Sequence, residues 1–272
     1  MTQPHSADAP TRGSGPTTRT AVVITALGVE SQAVVEHFTP GSRPLREADG
    51  TVYEIGTFHG DHGPWTVPLV EAGQGNTSAG IELDRAVRVF APEVVLFVGI
   101  AGGVKDVALG DVVAADAVYD YERGKDTKDG FVPRIKTKSS SHRLLQYART
   151  AARQKAWTAR VRPAPASGPP PRSLVAPIAA GGKVVGHDRS RTAELLRAHC
   201  GDAVAVEMEG YGFLHGAYLN PQVGALVVRG VSDLLNDKGE ENDRTEQPRA
   251  ARHAAAFAFE LLDVLRSAEP QR

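Results

Sequence analysis

Two short acidic motifs near the C-terminal end of the sequence carry the residues best suited to chemistry. They are residues 206–210 (VEMEG) and residues 228–233 (VRGVSD). Each motif follows an apolar run typical of a buried strand, so each delivers one carboxylate, Glu209 or Asp233, to a strand end. Ligands of open α/β sheets bind beyond the carboxyl ends of the strands. Two carboxylates placed there can take different roles when their surroundings differ.

The two carboxylates each have a functional and a structural interpretation. An ionised Glu209 would accept two hydrogen bonds, which suits the 2′,3′-diol of a ribose. Alternatively, it is a first-turn glutamate that favours the dipole of a predicted helix over 208–218. Asp233 suits a general acid, provided that burial keeps it protonated near neutral pH. Alternatively, Asp233 caps a helix N-terminus, as Ser and Asp often do.

A third acid and a glycine-rich run follow two other predicted strands. Glu30 falls in the first turn of a helix after the strand 20–25, and is either a general base that activates water or a solvated helix residue. Residues 99–103 (GIAGG) follow the apolar strand 94–98. Glycine there lets the backbone approach a ligand closely, although a tight turn explains it equally well. The run does not fit the dinucleotide-binding pattern G-x-G-x-x-G.

The sequence lacks the residues that several other kinds of chemistry require. The histidines are scattered rather than grouped at metal-ligand spacing, and there is no G-x-S-x-G motif. The formal net charge of −1 gives no general attraction to nucleic acid, and no apolar run approaches the ~20 residues that span a membrane. We therefore expect no metal, no cofactor, no nucleic-acid partner and no membrane partner. Cys200 is a single cysteine, which we interpret as structural, and without an export signal we expect a cytoplasmic protein.

The order of elements predicts the fold. Apolar runs predict strands, and helical spacing predicts helices between them. The predicted strands are 20–25, 52–58, 65–71, 94–98 and 111–118. One helix is predicted directly after Gly28, and the others span 77–90, 208–218 and 249–265. Pro68 favours an edge position for the strand 65–71. Alternating strands and helices predict an α/β fold, a single three-layer α/β/α domain over 19–268 with a mixed central sheet.

Two segments depart from this pattern. Residues 1–18 are rich in Pro, Ser, Thr and Gly and lack the apolar core of a secretory signal, so we expect a disordered tail. Residues 160–172 hold five prolines and three arginines. Proline at that density prevents helix and disfavours sheet. We interpret this segment as a surface insertion, with a lid or an oligomer contact near the pocket as the alternative.

The motifs together resemble those of the nucleoside phosphorylase/nucleosidase superfamily. The resemblance rests on 206–210, 230–233 and 98–103, and it extends from about residue 21 to residue 265. Within this superfamily, the sequence is most similar to the 5′-methylthioadenosine/S-adenosylhomocysteine nucleosidases and to related domains of bacterial signalling and defence proteins. The resemblance implies a phosphorylase/hydrolase-like fold, a purine nucleoside as the small-molecule partner, and a homodimer.

The resemblance also implies roles for individual residues. Glu209 and Met208 would bind the ribose, Asp233 would protonate N7 of the purine with Ser232 orienting it, and Glu30 would activate water. The other implied substrate-binding residues are Glu207, Ile100, Ala101 and Gly102, with Lys183, Val184 and Val185 along a base-binding strand.

The same comparison bears on the nucleophile. Related phosphorylases place an arginine and a serine around the glycine at position 99, whereas this sequence has Phe97 and Ile100. Their N-terminal loop also binds phosphate, and at the equivalent place this sequence has Glu30. Each missing charge-assisted contact is worth ~1.5–3 kcal/mol. We therefore expect hydrolysis of methylthioadenosine, S-adenosylhomocysteine or a related adenine nucleoside or nucleotide. The alternatives are a phosphate-dependent phosphorylase and a nucleoside-binding regulatory module without turnover.

Overall fold

A computed structural model describes residues 18–162, 170–235 and 240–267, with backbone alone for 240–244. Most of the predicted tail, residues 1–17, and the central part of the proline-rich segment, residues 163–169, lie outside the described residues. The strands are β1 (Arg19–Thr25), β2 (Leu45–Ala48), β3 (Thr51–Gly60), β4 (Gly63–Glu71), β5 (Val94–Gly103), β6 (Val112–Asp120), β7 (Gly124–Thr127), β8 (Gly130–Pro133), β9 (Lys136–Ser139), β10 (Ser173–Ala180), β11 (Ala205–Glu207) and β12 (Gly224–Leu234). The helices are α1 (Gly28–Val35), α2 (Asn76–Phe90), α3 (His142–Gln154), α4 (Arg191–His199), α5 (Gly210–Leu219) and α6 (Glu240–Ser267), and a 3₁₀ helix spans Ala156–Arg160.

One large mixed sheet organises the molecule. Its strands run in the order β11-β10-β6-β12-β5-β1-β4-β3-β2, with β9 paired to β6, while β7 and β8 form a separate hairpin. The central pairs β4–β1, β1–β5 and β5–β12 are parallel, and β12–β6 is antiparallel. The predicted α/β fold with a mixed central sheet is therefore confirmed.

The sheet closes on itself at one end. Strand β11 pairs in parallel with β10 and also in antiparallel with β5, where Val206 lies opposite Gly102 and Ala205 opposite Gly103. The strands β5, β12, β6, β10 and β11 consequently form a ring. This closure brings the first acidic motif to the end of the glycine-rich strand.

Two helical layers cover the sheet. Buried side chains of α1, α3 and α6 share one hydrophobic cluster with the sheet, and those of α2 and α5 share a second cluster. In α2 the buried residues Ala79, Leu83, Ala86 and Val87 recur at helical spacing, which explains why this face packs on the sheet. Strand β5 is buried on both faces, as expected of a central parallel strand. No helix in the described part of the chain is long and apolar enough to span a membrane.

The structure corrects two local predictions. Strand β4 pairs with both β1 and β3, so the prediction that Pro68 marks an edge strand is wrong. The β1–β4 register keeps the same offset on either side of Pro68, so neighbouring pairs hold the strand in place. Strand β5 also continues through Gly103 instead of turning after Val98. The interpretation of 99–103 as a tight turn is therefore wrong, and close approach explains the glycines.

Ion pairs anchor both described ends of the proline- and arginine-rich segment. The Arg160 guanidinium contacts Glu260 at 2.5 Å and Asp263 at 2.6 Å, both on α6. The Arg172 guanidinium contacts the buried Asp111 at 2.7 Å. These two arginines therefore hold the described ends of the segment, residues 160–162 and 170–172, against the domain.

Gly230 tests how closely β12 packs against α6. A Cβ atom at this position would lie 2.0 Å from the main-chain oxygen of Ala250, which cannot move aside as a flexible side chain could. We expect Gly230→Ala to lower the free energy of unfolding by about 1–3 kcal/mol, measured by urea denaturation. Gly186→Ala is the control, because nothing lies within 4 Å of its added Cβ. Equal stability of the two variants would contradict this packing.

Candidate active site

A cavity of about 250 Å³ opens at the carboxyl ends of β1, β4, β5 and β12 and beside β11. Every site residue predicted from the sequence lines it: Glu30, Ile100, Ala101, Gly102, Lys183, Val184, Val185, Glu207, Met208, Glu209, Ser232 and Asp233. The structure thus brings together residues that are distant in the sequence. Which of them bind a substrate or react stays a prediction.

Glu209 is buried and faces the cavity from the residue before α5. Its Oε1 accepts a hydrogen bond from the Gly75 N–H at 2.9 Å, and its Oε2 lies 3.3 Å from the Arg229 guanidinium. Its side chain caps none of the N–H groups of α5. The carboxylate is therefore oriented by contacts outside its own helix, unlike a first-turn glutamate that serves only the helix dipole.

Arg229 is the cation around which the acids are arranged. Its side chain is fully buried within β12, forms ion pairs with Glu207 and Glu209, and lies over the ring of Phe97 at 4.5 Å from the centroid. Burial disfavours the charged guanidinium, but the carboxylates of Glu207, Glu209 and Glu30 raise the pKa of Arg229. No role was predicted for Arg229, although it stands inside the second acidic motif.

Glu207 serves the same arrangement from β11. Its carboxylate accepts hydrogen bonds from the N–H groups of Glu209 at 3.0 Å and Gly210 at 2.8 Å in addition to the Arg229 guanidinium. Burial raises the pKa of Glu207, while Arg229 acts in the opposite direction. Although Glu207 borders the cavity, its carboxylate oxygens are engaged with protein groups. Its contacts therefore fit a residue that positions Arg229 and the start of α5.

Glu30 is 2% exposed, so the interpretation as a solvated helix residue is wrong. Its Oε2 accepts hydrogen bonds from the Ala26 and Leu27 N–H groups, and its Oε1 accepts one from Ile100 N–H at 2.9 Å. Burial raises the pKa of Glu30, although Arg229 and these N–H groups oppose the shift. A Cβ on Gly99 would lie 2.5 Å from Glu30 Oε1, so a side chain at this position would displace the Glu30 carboxylate. A raised pKa makes the carboxylate a better proton acceptor.

Asp233 lies inside β12, so the interpretation of this residue as a helix N-cap is wrong. It is 7% exposed, and its Oδ1 accepts a hydrogen bond from the Ser232 hydroxyl at 2.9 Å. Gly102 lies opposite Asp233 in the β5–β12 register, where an added Cβ would lie 3.0 Å from Asp233 Oδ2. The glycine therefore leaves room for the carboxyl group at the cavity wall.

The structure corrects the position of the predicted base-binding residues. Strand β10 ends at Ala180, so Lys183, Val184 and Val185 lie in the following loop and not along a strand. Val185 is buried, while Val184 is 66% exposed. The Lys183 ammonium lies 3.1 Å from the Glu122 carboxylate. Gly181 and Gly182 precede these residues, and their lack of side chains favours a loop.

Some residues of the cavity wall were not predicted from the sequence. Ala26 and Leu27 donate hydrogen bonds to Glu30 and Val206 precedes Glu207, whereas Gln74 and Gln247 are distant in the sequence from every predicted residue. Gln74 could have been found, because it stands between Gly73 and Gly75 in the loop that follows the parallel strand β4. Gln247 belongs to α6, and no strand-end signal marks it. Among the described residues, no group of three or more His, Cys, Asp or Glu side chains could hold a metal ion.

The sequence of this domain matches a known protein family. A sequence model of the phosphorylase superfamily matches residues 20–266. The chain therefore belongs to the phosphorylase superfamily.

Individual proteins that are similar to this chain have names more specific than that of the superfamily. The chain is 28% identical over 209 residues to a 5′-methylthioadenosine/S-adenosylhomocysteine nucleosidase of Listeria monocytogenes, covering 73% of this chain and 82% of that protein. It is 29% identical over 235 residues to the ATP nucleosidase Cap17 of Escherichia coli, covering 80% of this chain. The chain spans about half the length of some curated relatives, 46% for Cap17. The structure of futalosine hydrolase from Helicobacter pylori superposes with a TM-score of 0.73 at 20% identity, covering 90% of this chain and 98% of that one, which shows a shared fold.

Arg229 offers a test of the charge balance. In Arg229→Met, Glu207 and Glu209 stay buried without their cation, so we expect a loss of about 3–5 kcal/mol in the free energy of unfolding at neutral pH. Because the pKa of Glu207 is raised in the folded protein, this carboxylate gains a proton as the pH falls and then no longer needs a cation. The loss should therefore shrink in acid. Urea denaturation across a pH series measures it.

The matched control is Arg189→Met, which removes the same charge from an exposed position. It should change stability by less than about 0.5 kcal/mol at either pH. A pH-independent loss in Arg229→Met would contradict the proposed charge balance.

Proposed function

We propose that this chain is a hydrolytic N-glycosidase that releases the base from a purine nucleoside, with adenine as the base. The observation that carries the proposal is the convergence of three acids, Glu30, Glu209 and Asp233, on one cavity at the strand ends. Each acid has different partners, and a glycosidic bond cleavage requires three different tasks. The names of the similar nucleosidases support the same class of reaction.

Asp233 is assigned to the leaving base. As the bond between C1′ and the base breaks, its electron pair goes to the base, and a proton from Asp233 at N7 lets the purine leave as a neutral molecule. The Ser232 hydroxyl donates to Asp233 Oδ1 and fixes the orientation of the carboxyl group. The adjacent loop at Lys183, Val184 and Val185 borders the same cavity and supplies main-chain groups for the base edge.

Glu209 is assigned to the sugar. Gly75 N–H and Arg229 each occupy one of its two oxygens, and an ionised carboxylate retains further lone pairs for the ribose hydroxyls. Its negative charge also stabilises the positive charge that develops on the sugar ring in an oxocarbenium-like transition state. Met208, the preceding residue in the cavity wall, packs against the ribose.

Glu30 is assigned to the attacking water. Water adds to C1′ and transfers a proton to Glu30, so that the products are free base and free sugar. The three backbone N–H groups that bind Glu30 hold its carboxylate in one orientation. Burial raises the pKa of Glu30, which increases its strength as a base once it is ionised.

The charges around the cavity favour water over phosphate. A phosphate dianion would meet the carboxylates of Glu30, Glu207 and Glu209. Lys183 is the cation among the described lining residues, and it is engaged with Glu122. Arg229 is turned towards Glu207 and Glu209. Phosphate would therefore have to displace existing ion pairs in order to bind.

An assay of products tests the proposed function. The protein is incubated with methylthioadenosine, S-adenosylhomocysteine, adenosine, AMP and ATP, with and without phosphate, and adenine and sugar are separated by chromatography. We expect adenine and free sugar from at least one of them, at a rate independent of phosphate. Sugar 1-phosphate would establish the phosphorylase alternative. Absence of adenine from every compound, with retained binding, would establish a nucleoside-binding module.

Asp233→Asn tests the general acid. The amide cannot donate the carboxyl proton, so we expect kcat to fall by about 10²–10⁴-fold, while binding of the nucleoside persists in a calorimetric titration. The matched control is Asp84→Asn on α2, outside the cavity, where the carboxylate pairs with Arg88. It should leave kcat unchanged. Unchanged turnover in Asp233→Asn would refute the assignment.

The raised pKa of Glu30 predicts how the rate falls on the acid side of the pH–rate profile. Because burial raises its pKa, the base gains a proton, and kcat/KM falls, at a higher pH than an ordinary glutamate with a pKa of 4.5 would allow. Glu30→Gln should abolish turnover, and any residual rate should lack this fall in acid. A wild-type rate that stays level down to the ordinary glutamate range would contradict the role of Glu30 as the base.

A further inference from the structure

A second cavity lies behind the candidate active site. It has a volume of about 440 Å³, larger than the first, and none of its lining residues belongs to the catalytic assignments above. The two cavities lie on opposite sides of the ends of β5 and β12. Gly102 and Asp233 face the first cavity, whereas their neighbours Gly103 and Leu234 face the second.

The walls of this second cavity are mainly aliphatic. One face of α4 contributes Ala193 and Leu196, and Cys200 continues the same face one turn later. Each of these three residues is at most 2% exposed. Burial, followed by the nearby Asp202, raises the pKa of Cys200 to about 11, so the thiol is neutral at physiological pH. The described lining includes no aromatic ring that could stack on a planar ligand.

The rim of the cavity is cationic. Lys105 and Arg197 border it and are exposed to solvent. The Arg197 guanidinium donates to the main-chain oxygen of Asp188 at 2.6 Å, so its charge is not neutralised by that contact. The Asp188 carboxylate also borders the cavity and lies 2.9 Å from the Nδ1 atom of the His187 ring. The Lys105 ammonium lies 3.8 Å from the carboxylate of the exposed Asp106.

We infer that this second cavity binds a small amphiphilic anion, an aliphatic chain that ends in a carboxylate. The chain would lie against the α4 face and the Leu234 and Leu235 side chains, and the carboxylate would pair with Lys105 and Arg197. The volume falls in the range of about 300–1,000 Å³ usual for small-molecule sites, which combine apolar walls with a few polar groups. An aliphatic chain suits walls built from Val, Leu, Ala and Cys.

Calorimetric titration of the full chain with decanoate, below its micelle concentration, tests the inference. We expect saturable binding at one site. Acetate carries the head without the chain, and decyltrimethylammonium carries a chain of the same length with the opposite charge, so neither should bind at this site. Absence of saturable decanoate binding, or equal binding of the ammonium compound, would overturn the inference.

Variants of the rim test the charge. Loss of one charge-assisted contact weakens binding by about tenfold or more, so the double variant Lys105→Gln/Arg197→Gln should bind decanoate at least about tenfold more weakly than wild type. The matched control is Arg189→Gln, which removes one positive charge from an exposed residue that does not line the cavity. Equal affinity of the double variant and the control would overturn the inference.

Two measurements locate the ligand. Cys200 is the single cysteine of the chain, so its alkylation by iodoacetamide can be followed by intact mass, and decanoate should slow it in proportion to occupancy. Val107→Phe, in the loop after β5, fills the cavity and should abolish the calorimetric signal, with folding checked by thermal unfolding. Undiminished binding in folded Val107→Phe would place decanoate elsewhere and overturn the inference.

Discussion

The fully buried guanidinium of Arg229 is the constraint on which the site depends. A charge in a protein interior is tolerated only when opposite charges and hydrogen bonds compensate its lost hydration. Here Glu207 and Glu209 provide that compensation through direct ion pairs, and Glu30 adds to it through its field. The same requirement keeps three acids close together beside one cavity. Removing any of them changes the charge balance of the others.

The closure of the sheet makes this charge cluster possible. Strand β11 joins both β10 and β5, so Glu207 and Glu209 arrive next to β12, which carries Arg229 and Asp233. Glycines at the crowded positions allow the approach. An added Cβ on Gly99 would lie 2.0 Å from the Arg229 guanidinium, and one on Gly102 would lie 3.0 Å from Asp233. The close packing at positions 99 and 102 and the placement of the charged groups beside them therefore both favour glycine.

The acids differ because their partners differ. Backbone N–H groups hold Glu30, an arginine and one N–H hold Glu209, and a serine hydroxyl holds Asp233. Local sequence could suggest which acids face a pocket, since each stands at or near the end of an apolar run. It could not show that Arg229 links them, because an arginine inside a strand motif looks the same whether its side chain is buried or solvated. Glu30 and Glu209 also have partners that are distant in the sequence, namely Ile100 for Glu30 and Gly75 and Arg229 for Glu209.

The sequence by itself determined the alternation of strands and helices and the mixed α/β fold, which follow from hydrophobic periodicity. Its resemblance to a known superfamily, carried by short local motifs, indicated most of the residues around the cavity. Tertiary structure decided the interior position of β4 despite Pro68, the extension of β5 through its glycines, and the loop conformation of Lys183, Val184 and Val185. It also decided the burial of Arg229. Each depends on which strands become neighbours, and strand order is set by packing across the whole domain.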